Sequence, residues 1–347
     1  MNAIKNILFF LILGTFVFSN DLVAQEKAYP KDGEGITLFL KRFNRTGEYY
    51  KNQFIELNRG KFGRNYGLLK HIKYTLPPLK DSESTSDKNI KVRNQDNSAK
   101  RKNYEPLFGK NYANFDIVSN ELSGACFYLV SGHGGPDPGA IGYAGKKELH
   151  EDEYAYDIIL RVARNLMMRG AKVHIIIQDS KDGIRDEYFL NNSKRETCMG
   201  SKIPLNQVQR LKQRCDKINS LYNKDKETYK RALFVHVDSR SKSKQTDVFF
   251  YHSGSSAGKH LARTMRNTFQ KKYDRHQPGR GFSGTISKRD LYVIKNTVPT
   301  ALFVELGNIQ NKYDQQRIVQ KNNRQALANW ICEGFLLDYR KNKQTSI

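Results

Sequence analysis

The sequence is poor in cysteine, poor in acidic residues and almost free of long apolar runs. Four cysteines among 347 residues are too few for a disulfide-built scaffold, and no CxxC pair indicates a zinc ribbon or a thioredoxin-like redox site. The one long apolar run lies at the extreme N-terminus, which argues against an integral membrane protein. The 35 acidic residues face 59 Lys and Arg, so the formal net charge is +24 and an anionic partner is expected.

Enough apolar material is nevertheless present for a folded core. Hydrophobic residues make up 38% of the chain and aromatic residues 11%, which argues against disorder throughout. The length fits one large domain or two ordinary ones.

The apolar run has the features of an export signal. Lys5 precedes an almost unbroken apolar stretch, residues 7–18, and a small residue, Ala24, stands at a plausible cleavage position. Because the stretch is short for a membrane-spanning helix, we predict a cleaved secretory signal peptide over residues 1–24, with an uncleaved anchor as the alternative. The chain is then exported to the periplasm or cell envelope, where nucleic acid is a poor candidate partner.

Residues 28–79 have the pattern of a small separate module. Gly33-Glu34-Gly35-Ile36 opens it, Phe54-Ile55-Glu56-Leu57-Asn58 lies at its centre, and Tyr74-Thr75-Leu76-Pro77-Pro78 closes it. Apolar spacing predicts helix, loop, helix, with a short strand at each end. This order resembles a divergent LysM module, a small α+β (βααβ) unit that binds the N-acetylglucosamine backbone of peptidoglycan. The resemblance implies carbohydrate binding, and a structural or partner-docking role is the alternative.

Residues 80–104 are predicted to be a flexible linker, since Ser, Asp, Asn and Lys dominate them. Residues 105–340 alternate strand and helix patterns, which predicts an α/β domain with a largely parallel sheet. The predicted strands are residues 125–130, 172–177, 232–237, 248–251, 292–294 and 300–305. The predicted helices are residues 151–169, 208–221 and 256–273, with a closing helix or pair of helices over 315–340.

Side chains suited to metal binding or proton transfer follow three of these strands. His133 lies in the Gly-rich segment SGHGGPDPGA, His236 in FVHVDS and Glu305 in LFVELGNIQN. Ligands of open α/β sheets bind at the carboxyl ends of the strands, so the three can converge. Glu151 begins the first helix, directly after the loop that leaves His133. Each residue taken alone is better explained as a buried histidine or a turn-capping Glu, but the joint pattern is much less expected by chance.

Two imidazoles and one carboxylate form the ligand set of hydrolytic zinc sites, whose fourth position is left open for water. A second carboxylate must then move protons during the reaction. The chain supplies both requirements, because two histidines and one Glu can form the ligand set and a further Glu remains for proton transfer. The pattern therefore indicates metal-assisted hydrolysis of an amide.

The same segments resemble the zinc-dependent N-acetylmuramoyl-L-alanine amidases of the Amidase_3 type, over about residues 123–337. The motifs GHGGPDPGAIG, LHEDEYAYDIILRVARNLMMRGAKV, FVHVDS and VELGNIQN occur in the family's order. The resemblance implies a twisted mixed sheet wrapped by helices and one zinc ion. It also implies a substrate, peptidoglycan, and cleavage of the amide between N-acetylmuramic acid and the L-alanine of the stem peptide.

By position, the resemblance assigns His133, Glu151 and His236 as zinc ligands and Glu305 as the catalytic carboxylate. Glu148 and Glu153 are nearby alternatives to Glu151. Two rivals remain: a catalytically silent wall-binding or activator protein that has kept the fold, and a zinc peptidase that cuts within the stem peptide.

The chain departs from the family pattern in ways that leave the substrate contacts open. Gln178 stands where Arg is usual, Asp238 where Asn is usual and Asn308 where Phe is usual. Asp238 either orients an imidazole or caps a turn. Residues 182–204 and 275–289 look inserted, as surface elaboration or as substrate rims. Some amidases of this type block the zinc site with an inserted helix until a partner moves it, so an activator protein is a candidate partner.

The cysteines and one basic cluster support smaller expectations. Cys126 and Cys332 are expected in the core, and a bridge between Cys198 and Cys215 is a further hypothesis. The basic cluster at residues 240–244 is expected to be solvated surface or a contact for carboxylate-rich stem peptides.

Overall fold

The computed structural model describes residues 26–63, 67–79, 103–245 and 247–345, which form two compact units. The predicted signal peptide, residues 1–24, and residues 80–102 of the predicted linker lie outside the described residues. Within the described ranges, none of the helices combines the length and the apolar character needed to cross a bilayer.

The N-terminal unit has the predicted order of strand, helix, helix and strand. Strand β1 (Lys27–Ala28) pairs antiparallel with β2 (Tyr74–Thr75), and helices α1 (Ile36–Arg42) and α2 (Glu48–Leu57) lie between them in sequence. Three aromatic side chains, Phe39, Phe54 and Tyr74, are fully buried together. The buried Asn58 side chain donates to Thr75 O and accepts from Thr75 N (both 2.7 Å), which ties the end of α2 to β2. Glycan binding by this unit stays a prediction.

The second unit contains the other strands and helices. Its strands, in chain order, are β3 (Asn103–Tyr104), β4 (Asn114–Phe115), β5 (Ala125–Ser131), β6 (Ile141–Ala144), β7 (Lys147–His150), β8 (Lys172–Ile175), β9 (Ile177–Gln178), β10 (Thr197–Cys198), β11 (Ser201–Lys202), β12 (Tyr229–Asp238), β13 (Phe249–His252), β14 (Thr285–Lys288) and β15 (Thr300–Asn308). Its helices are α3 (Glu151–Met167), α4 (Gln207–Lys224), α5 (Ser256–His276), α6 (Tyr292–Lys295), α7 (Lys312–Val319) and α8 (Lys321–Thr345).

Six strands form the central sheet, in the order β14-β13-β15-β12-β5-β8. Only the β13–β15 pair is antiparallel, so the sheet is mixed and mostly parallel. The predicted fold class is therefore confirmed. The closing segment is a pair of helices, α7 and α8, one of the two forms expected.

Helices cover both faces of this sheet, which explains why its strands are nearly continuous apolar runs. On β12, Leu233 and Val235 belong to one core, which includes apolar residues of α3, α5 and α8. Phe234, between them, belongs to a second core with Ile218 of α4 and Val293 of α6. Alternating side chains of one strand thus serve both cores.

One predicted strand is wrong. Residues 292–294 begin the short helix α6, whose Val293 and Ile294 are buried in the second core. A three-residue apolar run is compatible with either a strand or a buried helical turn, and periodicity over so short a stretch does not distinguish them.

The two segments predicted to be inserted contribute strands. Residues 182–204 include β10 and β11, and β10 pairs with both β9 and β11 in a small three-stranded sheet. Residues 275–289 include β14, the edge strand of the central sheet beside β13.

All four cysteines are free and buried, so the hypothesis of a Cys198–Cys215 bridge is wrong. Both thiols pack in the second core instead.

Candidate metal centre

The parallel register brings three strand ends to one edge of the sheet. On β12, Val235 is the register partner of Ser131 at the end of β5, and His236 is the partner of Glu305 on β15. His133 follows Ser131 by two residues. The expected convergence of these segments at the carboxyl edge is therefore present in the structure.

The loop that carries His133 needs glycine because its backbone passes very close to other site residues. A Cβ atom at Gly132 would come within 2.4 Å of the His236 ring. One at Gly139 would lie 2.7 Å from both Glu151 Oε2 and the His133 ring. His133 itself has a φ of 57°, a left-handed conformation that is uncommon for residues other than glycine. The Gly-rich segment thus permits the close packing of the site.

Glu151 lies at the centre of the cluster and is held from four directions. Its Oε1 is 2.9 Å from Nδ1 of His236 and accepts the Val237 backbone N–H (3.0 Å). Its Oε2 is 3.2 Å from Nε2 of His133 and accepts the Ala140 backbone N–H (2.9 Å). The residue is only 4% exposed, so its orientation is fixed by the fold.

One ligand atom from each of His133, Glu151 and His236 lies within 4.8 Å of the others. The two imidazole centroids are 4.9 Å apart. The alternatives to Glu151 lie elsewhere: Glu148 is exposed and contacts His150 (3.0 Å), and Glu153 groups with other acids.

Two further groups of potential ligands occur among the described residues: Cys126, His174 and Asp225, and Asp152, Glu153 and Glu196. In the first, Asp225 already accepts from Tyr128 Oη (2.7 Å) and contacts Lys172 Nζ (2.7 Å). The carboxylate of that group is therefore already paired with a lysine and a tyrosine of the protein.

The electrostatics of the cluster are those of a site that attracts a cation. Burial would lower the pKa of His133, but its contacts with Asp137 and Glu151 raise it to about 10. Burial would raise the pKa of Glu151, but the two histidines hold it well below its usual range. Burial lowers the pKa of His236, which favours the neutral imidazole that a metal requires.

Glu305 lies on the same face of the sheet as His236, its register partner. Burial, followed by the negative charges of Glu151 and Asp238, raises the pKa of its carboxyl well above the ordinary value. In the described part of the chain its buried Oε2 has no hydrogen-bond partner. An orphaned buried carboxylate oxygen is costly, and a ligand or a bound water would satisfy it.

Sequence reasoning missed the residues that hold His133 in place. Asp137 accepts from His133 Nδ1 (2.9 Å) and from Arg210 Nη2 (2.6 Å). The buried Arg214 donates to the His133 backbone carbonyl. Asp137 stands in the Gly-rich motif four residues after His133, so its position was a usable signal. Helix α4, which carries both arginines, offers none, because a basic residue on a helix face normally indicates solvent.

The donor set fits a divalent metal ion. Two imidazoles and a carboxylate from three different segments of the chain lie close together. The ring nitrogen of His133 that faces away from Glu151 is hydrogen-bonded to the Asp137 carboxylate, as is usual for ligating histidines. Glu305 lies beside them, and its Oε2 has no hydrogen-bond partner in the part of the chain that the structure describes. The arrangement can therefore hold a metal and a proton-transfer group at one edge of the sheet.

Comparisons with known proteins point to one family. Residues 128–336 match the family described as Amidase_3, N-acetylmuramoyl-L-alanine amidase. The germination-specific N-acetylmuramoyl-L-alanine amidase of Bacillus subtilis is 25% identical over 237 residues, which cover 66% of this chain and 87% of that protein. The probable cell wall amidase LytH of Staphylococcus aureus is 27% identical over 239 residues, which cover 65% of this chain and 64% of LytH.

Matches to solved structures have low sequence identity. The CwlD amidase from Clostridioides difficile, in complex with the GerS lipoprotein, has a TM-score of 0.46 and 15% identity, and the match covers 62% of this chain and 98% of that one. The family match includes the positions of all four predicted site residues.

Proposed function

The chain belongs to the N-acetylmuramoyl-L-alanine amidase family, and from that premise we propose that it is a zinc-dependent enzyme of the cell envelope. Its reaction is hydrolysis of the amide between N-acetylmuramic acid and the L-alanine of the stem peptide. The observation that carries the proposal is that ligand atoms of His133, Glu151 and His236 lie within 4.8 Å of one another beside Glu305, whose buried Oε2 has no hydrogen-bond partner among the described residues.

His133, Glu151 and His236 would hold the zinc ion. Bound zinc supplies a Lewis acid that polarises the scissile carbonyl and lowers the pKa of a water molecule toward about 7. Asp137 keeps the proton of His133 on Nδ1, so Nε2 would be the nitrogen available to ligate the ion. The two backbone N–H groups on Glu151 keep its carboxylate in place.

Glu305 moves the proton. In its ionised form it takes a proton from the attacking water, and it then delivers that proton to the departing L-alanine nitrogen. Burial and the neighbouring Glu151 raise its pKa, so the carboxyl can hold the proton between the two steps near neutral pH. Its position on a central strand keeps it in register with His236.

We place this activity outside the cytoplasm, in wall remodelling or daughter-cell separation. The signal-peptide pattern of residues 1–24 and the description of LytH as a probable cell wall amidase support that location. The N-terminal LysM-like unit, joined by the linker, would keep the enzyme on peptidoglycan. An activator protein remains an additional predicted partner.

The test is incubation of the purified chain with peptidoglycan and zinc, followed by mass spectrometry of the soluble products. We expect free stem peptides that begin with an unmodified L-alanine amino group. Glu305→Gln removes the proton carrier and should lower the rate by about 10²- to 10⁴-fold. Glu148→Gln, which changes an exposed acid on β7, is the control and should retain full activity.

Two results would contradict the proposal. Fragments cut within the stem peptide would identify a peptidase, and wall binding without zinc or turnover would identify a silent binding protein. In addition, release of stem peptides by Glu305→Gln at the wild-type rate would show that Glu305 is not the proton carrier.

A further inference from the structure

A strip of aromatic side chains runs from the metal centre across the same face of the sheet. The His236 ring stacks on Phe303, with centroids 4.4 Å apart and an angle of 16°. Phe303 contacts Tyr251 at 6.1 Å, and Tyr251 stacks on Phe249 at 6.0 Å. Phe249 is the register partner of Glu305 and Tyr251 that of Phe303, so the strip passes directly beside the predicted catalytic carboxylate.

Two arginines lie over this strip, one over Phe249 and one over Tyr251. The Arg240 guanidinium is 4.8 Å from the Phe249 centroid, and that of Arg289 is 4.9 Å from the Tyr251 centroid. They come from separate segments: Arg240 follows β12, and Arg289 ends the inserted segment 275–289. Two separate segments of the chain thus each place an arginine over the same row of aromatic rings.

The two arginines differ in their partners. Arg240 is paired with Asp238 through its Nε, and its side chain is 36% exposed. Arg289 is exposed, and among the described residues its guanidinium has no hydrogen bond or ion pair. A planar guanidinium over a ring presents its N–H groups at the edge, where they can bind a carboxylate with two hydrogen bonds.

The charged groups of this region also act on the Tyr251 hydroxyl group. Burial raises the pKa of Tyr251, Glu305 and Asp238 raise it further, and Arg289 and Arg240 lower it. The region beside Glu305 therefore combines largely buried aromatic rings with cationic groups that lie over Phe249 and Tyr251. Asp238, which departs from the family pattern, holds Arg240 at this place.

We propose that Arg240 and Arg289 form a carboxylate-binding subsite for the peptide side of the substrate, with Arg289 as the main specificity-determining residue. The inference rests on the proposed amidase function. The ligand is a stem peptide with a free carboxylate next to the L-alanine, in preference to its neutral amide. The two chemical forms differ only in this group, so the comparison isolates the charge.

The test uses two synthetic probes, N-acetylmuramoyl-L-alanyl-D-glutamate and its α-amide, both with the γ-carboxyl group blocked as a methylamide so that the α-amide has no carboxylate on its peptide. We expect the wild-type chain to cleave the acid with a kcat/KM about 5- to 10-fold higher than the amide, mainly through KM, and the preference to fall in high salt. Arg289→Gln should bring the ratio close to one, and Arg289→Lys should retain part of the preference. Arg340→Gln, which removes an exposed arginine of α8 paired with Glu121, is the control and should keep the ratio.

The outcomes separate this inference from the function on which it rests. If neither probe is cleaved although the chain is folded and zinc-loaded, the amidase proposal fails. If both probes are cleaved with equal kcat/KM, or if Arg289→Gln keeps the wild-type ratio, only the subsite fails.

Discussion

His236 and Glu305 are register partners on neighbouring parallel strands, β12 and β15. Their side chains leave the same face of the sheet at its carboxyl edge. The predicted proton carrier is therefore fixed relative to a predicted metal ligand by backbone hydrogen bonds. A rigid sheet keeps such a distance more constant than two loops would.

Asp137 should act on metal affinity through His133, which it contacts at 2.9 Å. Asp137→Asn removes the carboxylate that orients this imidazole, and we expect the zinc dissociation constant to rise by about 10- to 100-fold. A competition titration with a chromophoric chelator measures it. Asp216→Asn, at an exposed position of α4, should leave the affinity unchanged, and an unchanged affinity in Asp137→Asn as well would remove this role.

Gly139 should not tolerate a side chain, since its φ is +69° and a Cβ would lie 2.7 Å from both Glu151 Oε2 and the His133 ring. Gly139→Ala should abolish high-affinity zinc binding. Gly145 is a close match, with a φ of +64° and no atom within 4 Å of the place a Cβ would take, so Gly145→Ala carries only the backbone cost of about 1–2 kcal/mol. Zinc content and thermal unfolding of both variants check the prediction, which fails if Gly139→Ala binds zinc like Gly145→Ala.

Asp247 should contribute stability that disappears in acid. Burial would raise its pKa, but the hydrogen bonds from Arg280 and Ser283 and the charge of Arg317 lower it. Its folded pKa is thus below the unfolded value of about 3.9, so the stability is complete above that pH and is lost as pH falls through the folded pKa.

Asp247→Asn tests this difference. At pH 7 the variant should lose about 1.5–3 kcal/mol of unfolding free energy, and the gap should narrow toward pH 3. Urea unfolding at several pH values measures it, with Asp274→Asn on the exposed side of α5 as the control. A gap that stays constant between pH 7 and pH 3 would show that the charge of Asp247 is not the cause.

The cysteines should behave as four buried thiols. All four are free, and burial raises the pKa of Cys126 and Cys215 to about 12. A thiol reagent should therefore react slowly with the folded chain and with four groups after denaturation, and a reductant should not change the melting temperature. Two reactive thiols instead of four in the denatured, unreduced chain would indicate a disulfide.

The sequence was sufficient to predict five of the six strands of the central sheet, all except the edge strand β14, and to predict that the four candidate site residues lie close together. Both leave strong local patterns. Apolar runs that end in Gly, His or Glu mark buried strands and their carboxyl ends, as at His236 and Glu305. The strand predicted at residues 292–294 was wrong because three apolar residues are too few to show whether the spacing is that of a strand or of a helix. Arg210, Arg214 and Arg289 could not be found, since their roles depend on which distant segment lies opposite them, and only the folded chain defines that.

The central claim is that one zinc ion is bound by His133, Glu151 and His236 beside Glu305. Crystals of the zinc-loaded chain, with diffraction data on both sides of the zinc absorption edge, test it directly. We predict one anomalous peak about 2.0–2.2 Å from one atom of each of these three residues. A peak among Cys126, His174 and Asp225, or no peak between the two histidines, would contradict it.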